Sequence, residues 1–146
     1  MSWRGEPAHR SNLTGNWWAC WQTYKDGAEF ITFQEMTIRQ HTGRMQIAAA
    51  SRGNVTMEEG GYLWDGELRL WDNEVLMGWY VATDGGVRSK GTLFYLIHPH
   101  GQRMTGRWVG LSYDGLVTGW ATLAKTEAEA RELMDELRGK GATVSA

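Results

Sequence analysis

Nine tryptophans stand in 146 residues, and most of them lie next to a glycine inside short alternating runs. The pairing recurs at Gly15-Asn16-Trp17, Gly61-Tyr62-Leu63-Trp64, Gly78-Trp79, Gly106-Arg107-Trp108 and Gly119-Trp120. Glycine weakens a strand and marks a bend, a bulge or a close approach of backbones. Large aromatics beside such points suit a sheet that curls on itself. A curled sheet with an aromatic interior is a container, so the pattern raises the question of what it holds.

Turn signals divide the chain at regular intervals. Runs at 15–24, 29–40, 44–52, 62–71, 75–82, 90–97, 103–112 and 116–124 read as strands, the fourth bent near Asp65-Gly66. They are separated by Lys25-Asp26-Gly27, His41-Thr42-Gly43, Arg52-Gly53-Asn54, Asp72-Asn73-Glu74, Asp84-Gly85-Gly86, His98-Pro99-His100-Gly101 and Asp114-Gly115, which are residue types that turns require. A meander of eight short strands predicts an antiparallel up-and-down β-barrel, since closure removes the exposed edges. The fold class is therefore mainly β, calycin-like, with 15–125 as the barrel.

After the barrel the period changes. Thr126-Glu127-Ala128-Glu129 is a capping box, and Ala130, Leu133, Met134 and Leu137 recur at helical spacing. This predicts one amphipathic helix over 126–139, lying on the barrel wall or closing one end, with 140–146 as a tail. Residues 1–14 read as an arm, or as a flap over one barrel mouth with Trp3 at its apolar tip.

Composition narrows the function classes. A formal charge of −2 gives no basic footprint for nucleic acid. No apolar run approaches the ~20 residues of a membrane helix, and the N-terminus lacks a secretory apolar region. Cys20 is the only cysteine, which excludes an internal disulfide, fits a cytoplasmic location, and reads as a small buried apolar residue. No Walker loop, dinucleotide fingerprint, Cys-x-x-Cys pair, His-Glu-x-x-His or nucleophile elbow is present. His98 and His100 read as solvated loop imidazoles, so neither metal nor cofactor is expected. The sequence leaves room for a homodimer without requiring one.

Polar residues on otherwise apolar strands are the candidates for a site. The second strand places either Gln34 or Glu35 in the lumen, because both of its faces carry apolar residues. Trp17, Trp21, Trp108 and Trp120 are expected to wall a pocket; Gln34 and Arg69 would contribute substrate-binding hydrogen bonds. Glu35, Tyr80 and Tyr95 are the candidate catalytic groups. A Glu35 carboxyl buried among aromatics would exchange a proton readily. The inward register of each strand stays open at this stage.

Gly15-Asn16-Trp17 resembles the Gly-x-Trp opening of lipocalin-like barrels, in which the Trp packs at the closed end under a basic residue from the last strand. Here the last strand, 116–124, carries no Arg, and Lys125 directly follows it. The segments Lys90-Gly91-Thr92-Leu93-Phe94-Tyr95, Met104-Thr105-Gly106-Arg107-Trp108-Val109-Gly110 and Gly119-Trp120 are similar to two groups of small bacterial barrels. One comprises the stand-alone β-barrel cyclases of polyketide pathways, which promote [4+2] ring closure. The other is the ligand-sensing barrel of two-transmembrane, β-strand-rich antiphage effectors, which binds cyclic nucleotides. The shared positions are structural glycines and tryptophans, so they bear on fold more than on function.

Three functions follow as expectations. The first is a cofactor-free, Diels–Alder-type cyclase that holds a hydrophobic polyene in a reactive shape. The second is a sensor or sequestering barrel that binds a small molecule without changing it. The third is an interaction protein whose barrel interior is occluded by its own side chains. The first two need an open lumen.

Overall fold

A computed structural model of the chain describes residues 12–112 and 115–139. The expected arm at 1–11, Asp114 of the last turn and the tail at 140–146 lie outside the described residues. Eight antiparallel strands close into a barrel in sequence order. They are β1 (Gly15–Lys25), β2 (Ala28–His41), β3 (Arg44–Ala49), β4 (Trp64–Trp71), β5 (Val75–Ala82), β6 (Lys90–Ile97), β7 (Arg103–Ser112) and β8 (Gly115–Ala124), followed by helix α1 (Glu127–Gly139). Closure is completed by pairing of Trp18–Trp21 in β1 with Ala121–Ala124 in β8.

The interior is built by setting large residues against small ones. Tyr80 lies between Gly66 and Gly91 on the neighbouring strands, Trp108 is paired with Gly119, Tyr95 with Gly106, and Trp21 with Ala121. The glycines are there for space. A Cβ on Gly106 would overlap the carbonyl oxygen of Phe94, and one on Gly66 would overlap that of Trp79. The expected bend at Asp65-Gly66 is thus a close backbone approach inside a continuous strand. Alternating bulk of this kind fills a narrow barrel.

Two of the strands depart from their expected limits by two residues or more, for one reason. β3 ends at Ala49 and β4 begins at Trp64, because the intervening chain leaves the sheet and folds across one end of the barrel. Asn54 then takes the place of a strand neighbour: its Oδ1 accepts from Phe33 N at 2.7 Å and its Nδ2 donates to Ile31 O at 3.3 Å. Gly53 (φ +90°) permits this approach, since a Cβ there would stand 2.7 Å from Phe33 O.

Helix α1 packs on the outer wall rather than across an end. Ala130, Leu133 and Met134 cover Cys20, Phe33, Trp120 and Ala124. The amide of Glu129 donates to Thr126 Oγ1 at 3.2 Å, which is the expected cap. Arg138 clamps the last turn through two hydrogen bonds to Glu29, at 2.6 and 3.0 Å. Cys20 is buried beneath this helix, and burial pushes its thiol pKa up to about 12, so it is an inert packing residue.

Candidate functional site

The two ends of the barrel differ. At the end where β1 begins, Leu13 and Trp17 plug the lumen, with Trp17 Nε1 donating to Leu13 O at 2.8 Å. Lys125 Nζ lies 4.3 Å from the centre of the Trp17 ring. The basic residue that lipocalin-like barrels place over this Trp is therefore supplied from the position just after β8.

Above the plug, buried rings pack together across the lumen. Trp21, Trp64, Tyr80 and Trp108 form one aromatic cluster with ring centroids 4.7 to 6.4 Å apart. Gln34 organises it. Its Oε1 accepts from the indole nitrogens of both Trp21 and Trp64 at 2.9 Å, and its Nε2 donates to Tyr62 O at 2.7 Å and Ser51 O at 3.2 Å. Every hydrogen-bonding atom of this buried amide is used, which is the condition for placing it in a core.

Alternation along each strand then sorts the remaining candidates. Trp17, Trp21, Gln34, Tyr80, Tyr95 and Trp108 face inward and are buried. Glu35, the neighbour of Gln34, is exposed on the outer wall, so the expected carboxyl buried among aromatics does not form. Arg69 is also outside, paired across the sheet with Arg44 and Met77. Trp120 is buried, but against α1 on the outer wall and under the Arg107 guanidinium at 4.2 Å. These three do not converge with the others, and no Asp or Glu on the described strands faces the lumen.

The opposite end is the mouth. Here Tyr62 Oη donates to Ser89 Oγ at 2.6 Å, and Ser89 Oγ lies 3.2 Å from Tyr80 Oη. Burial raises the pKa of both tyrosines, so their hydroxyls stay protonated at neutral pH. Thr23, Tyr24, Tyr62, Val87, Ser89 and Trp108 line a cavity over this cluster, with Lys25, Glu58 and Arg88 at its rim. Its volume is about 30 Å³, roughly one water in size.

The segment 50–63 roofs this cavity. It carries a single 3-10 turn, Met57–Glu59, closed by Gly60 in a left-handed conformation. A Cβ on Gly60 would stand 2.9 Å from Thr23 Oγ1 and 3.0 Å from Thr32 Oγ1. Thr32 Oγ1 is buried and makes no hydrogen bond among the described residues. The segment is fastened at Asp84, which accepts from Arg52 at 2.6 and 3.1 Å and from Leu63 N at 2.8 Å.

The chain matches no family model, and a search of curated proteins finds no significant match. Function must therefore be argued from the mouth and the walls. The sequence reading singled out Tyr80 and Trp108 but missed Tyr62, Ser89 and the roof. The signal was the unassigned stretch between Gly53 and Gly61, too long for a hairpin turn and rich in glycine. Among the described residues no helix is long and apolar enough to cross a membrane.

Proposed function

We propose that this protein is a non-catalytic, small-molecule-binding barrel whose ligand seats at the mouth rather than in the lumen expected from the sequence, beneath a lid formed by residues 50–63. The observation that carries the proposal is the linked hydroxyls of Tyr62, Ser89 and Tyr80, of which Tyr62 and Ser89 line a cavity walled by Tyr24, Val87 and Trp108. A mostly apolar wall with a few convergent polar groups is how ligand sites orient their guests. The chemistry favours a flat, largely apolar molecule with one hydroxyl or carbonyl group, directed at Ser89. Arg88 and Lys25 at the rim would meet an anionic substituent.

The closed cavity is far below the ~300–1,000 Å³ of ordinary ligand pockets, so binding requires the lid to lift. Three glycines (Gly53, Gly60 and Gly61) lie in the lid. Raising it would also free Thr23 and Thr32, whose hydroxyls now lie under Gly60. The cyclase reading needs a chamber large enough to fold a polyene. The aromatic cluster takes up that volume in the closed barrel. Binding without chemistry is the better reading of this arrangement.

The experiment is mass spectrometry of whatever co-purifies with the protein, followed by quenching of tryptophan fluorescence with that compound and with cyclic nucleotides and polyene tetronates. Tyr62→Phe and Ser89→Ala should each weaken binding about tenfold, the value of one hydrogen bond to a buried group. Wild-type affinity in both variants, or turnover of a polyene to a cyclised product, would refute the reading.

A further inference from the structure

Alternation that sends Tyr80 and Leu93 inward sends an apolar set outward on the same strands. Met77, Trp79 and Val81 on β5 and Phe94 and Leu96 on β6 are all exposed, with Trp71 of β4 beside them. Trp79 is 48% and Leu96 52% exposed. Isolated apolar residues on a surface are ordinary, but a contiguous set holding two tryptophans and a phenylalanine has the composition of an interface centre. On β1, β2 and β8 the outward Cys20, Phe33 and Trp120 are covered by α1. The outward apolar residues on β4–β6 have no such cover among the described residues.

The charges on this wall indicate what covers it. Glu67 and Arg69 stand two positions apart on the outward side of β4. The sheet register aligns Glu67 with Trp79 and Thr92, and Arg69 with Met77 and Phe94. Consider a two-fold axis perpendicular to the strands, passing between these two rows. It brings Glu67 of one molecule to Arg69 of the other, and Trp79 to Met77, each contact occurring twice. Over these two central rows the axis maps the face onto opposite charge and matching apolar bulk, which makes it self-complementary there. At the margins Asp65 meets Trp71 and Lys90 meets Leu96.

We infer that the β4–β6 wall is the contact surface of a homodimer, with Trp79 at its centre and reciprocal Glu67–Arg69 pairs at its flank. In the single molecule Glu67 is engaged by Arg44 at 3.3 Å, Arg44 being exposed and Glu67 half-buried, so this surface pair opens to a second partner at modest cost. The mouth lies at one end of the barrel, so dimerisation through this wall leaves the proposed ligand site accessible.

Sedimentation velocity over a concentration series tests the inference, with circular dichroism to confirm folding of each variant. The wild type should show a concentration-dependent dimer, and Trp79→Glu should weaken it about thirtyfold or more, as loss of a central interface residue does. Glu67→Arg and Arg69→Glu should each weaken self-association, because each sets like charges together across the axis. Mixing those two variants should restore dimers, since every reciprocal pair is then of opposite sign. A wild type that stays monomeric at all soluble concentrations would overturn the inference. So would a dimer indifferent to Trp79→Glu and to mixing, or Trp79-dependent capture of the monomer by anionic vesicles.

Discussion

Gln34 Oε1 accepts the indole hydrogen of Trp64 at 2.9 Å, joining β2 to β4 across the barrel interior. The same oxygen accepts from Trp21, so one amide holds two rings that would otherwise bury unpaired N–H groups. Gln34→Leu should therefore destabilise the fold by about 3 kcal/mol or more, from two orphaned donors and two carbonyls that lose their amide. Gln34→Glu adds a pH signature. Burial would raise that carboxyl's pKa, so the variant's relative stability should fall as pH rises above the ordinary carboxylate range, and recover in acid. Urea denaturation at pH 4 and pH 8 measures both effects.

Gly106 and Gly85 make a matched pair for the argument about space. A Cβ on Gly106 meets the backbone of Phe94, whereas one on Gly85 meets nothing within 4 Å. Gly106→Ala should cost about 3 kcal/mol, at the upper end for overpacking, while Gly85→Ala should be neutral or slightly stabilising. Thermal melts of the two variants decide it. Similar melting temperatures would mean that β6 and β7 can separate freely.

Lys125 over Trp17 should contribute about 1 kcal/mol as a cation–π contact. Lys125→Met should then lower the melting temperature by a few degrees, and Lys125→Arg should hold it. Loss of stability in both variants would assign the effect to backbone pairing at the end of β8.

The lid latch has a pH dependence whose sign follows from Asp84. Hydrogen bonds from Arg52 and from Leu63 N hold its carboxyl below the usual carboxylate range. A lowered folded value means that the latch is complete above the unlatched carboxylate pKa of about 3.9. It is lost as pH falls through the lower, latched value. The hydrogen-exchange protection factor at Leu63, which corrects for the slower intrinsic exchange in acid, should be high near neutral pH and fall in acid, and Arg52→Ala should remove that dependence. Exchange insensitive to Arg52→Ala would separate lid closure from this ion pair.

Cys20 reports on α1. With its thiol pushed up to about 12 and covered by the helix, it should react with a disulfide reagent only when the helix lifts. Leu133→Ala, which thins that cover, should raise the labelling rate without changing the barrel's strand signal in circular dichroism. Fast labelling of the wild type would contradict the packing described.

How far the site could be read from the chain depends on spacing parity. Gly15 with Trp17 and Gly106 with Trp108 are two apart, so glycine and ring share the lumen. Gly78-Trp79 and Gly119-Trp120 are adjacent, so the glycine enters the lumen and its tryptophan is turned outward. The expectation that Trp120 walls a pocket overlooked this parity. Gln34 against Glu35 was harder, because Ile31 and Phe33 make the outer face of β2 as apolar as its inner one. That face is apolar because α1, about a hundred residues later in the chain, lies on it.

Local chemistry in the sequence set the eight strands, most of their turns, the barrel topology and the capped helix, since period, turn residues and caps act over a few neighbours. Tertiary structure alone decided that the lumen is packed, that segment 50–63 covers the mouth, and that β4–β6 carry an uncovered apolar wall. Those outcomes depend on which residues from different strands share a volume. An alternating strand offers two faces, and only closure of the barrel and docking of the helix determine what each one meets.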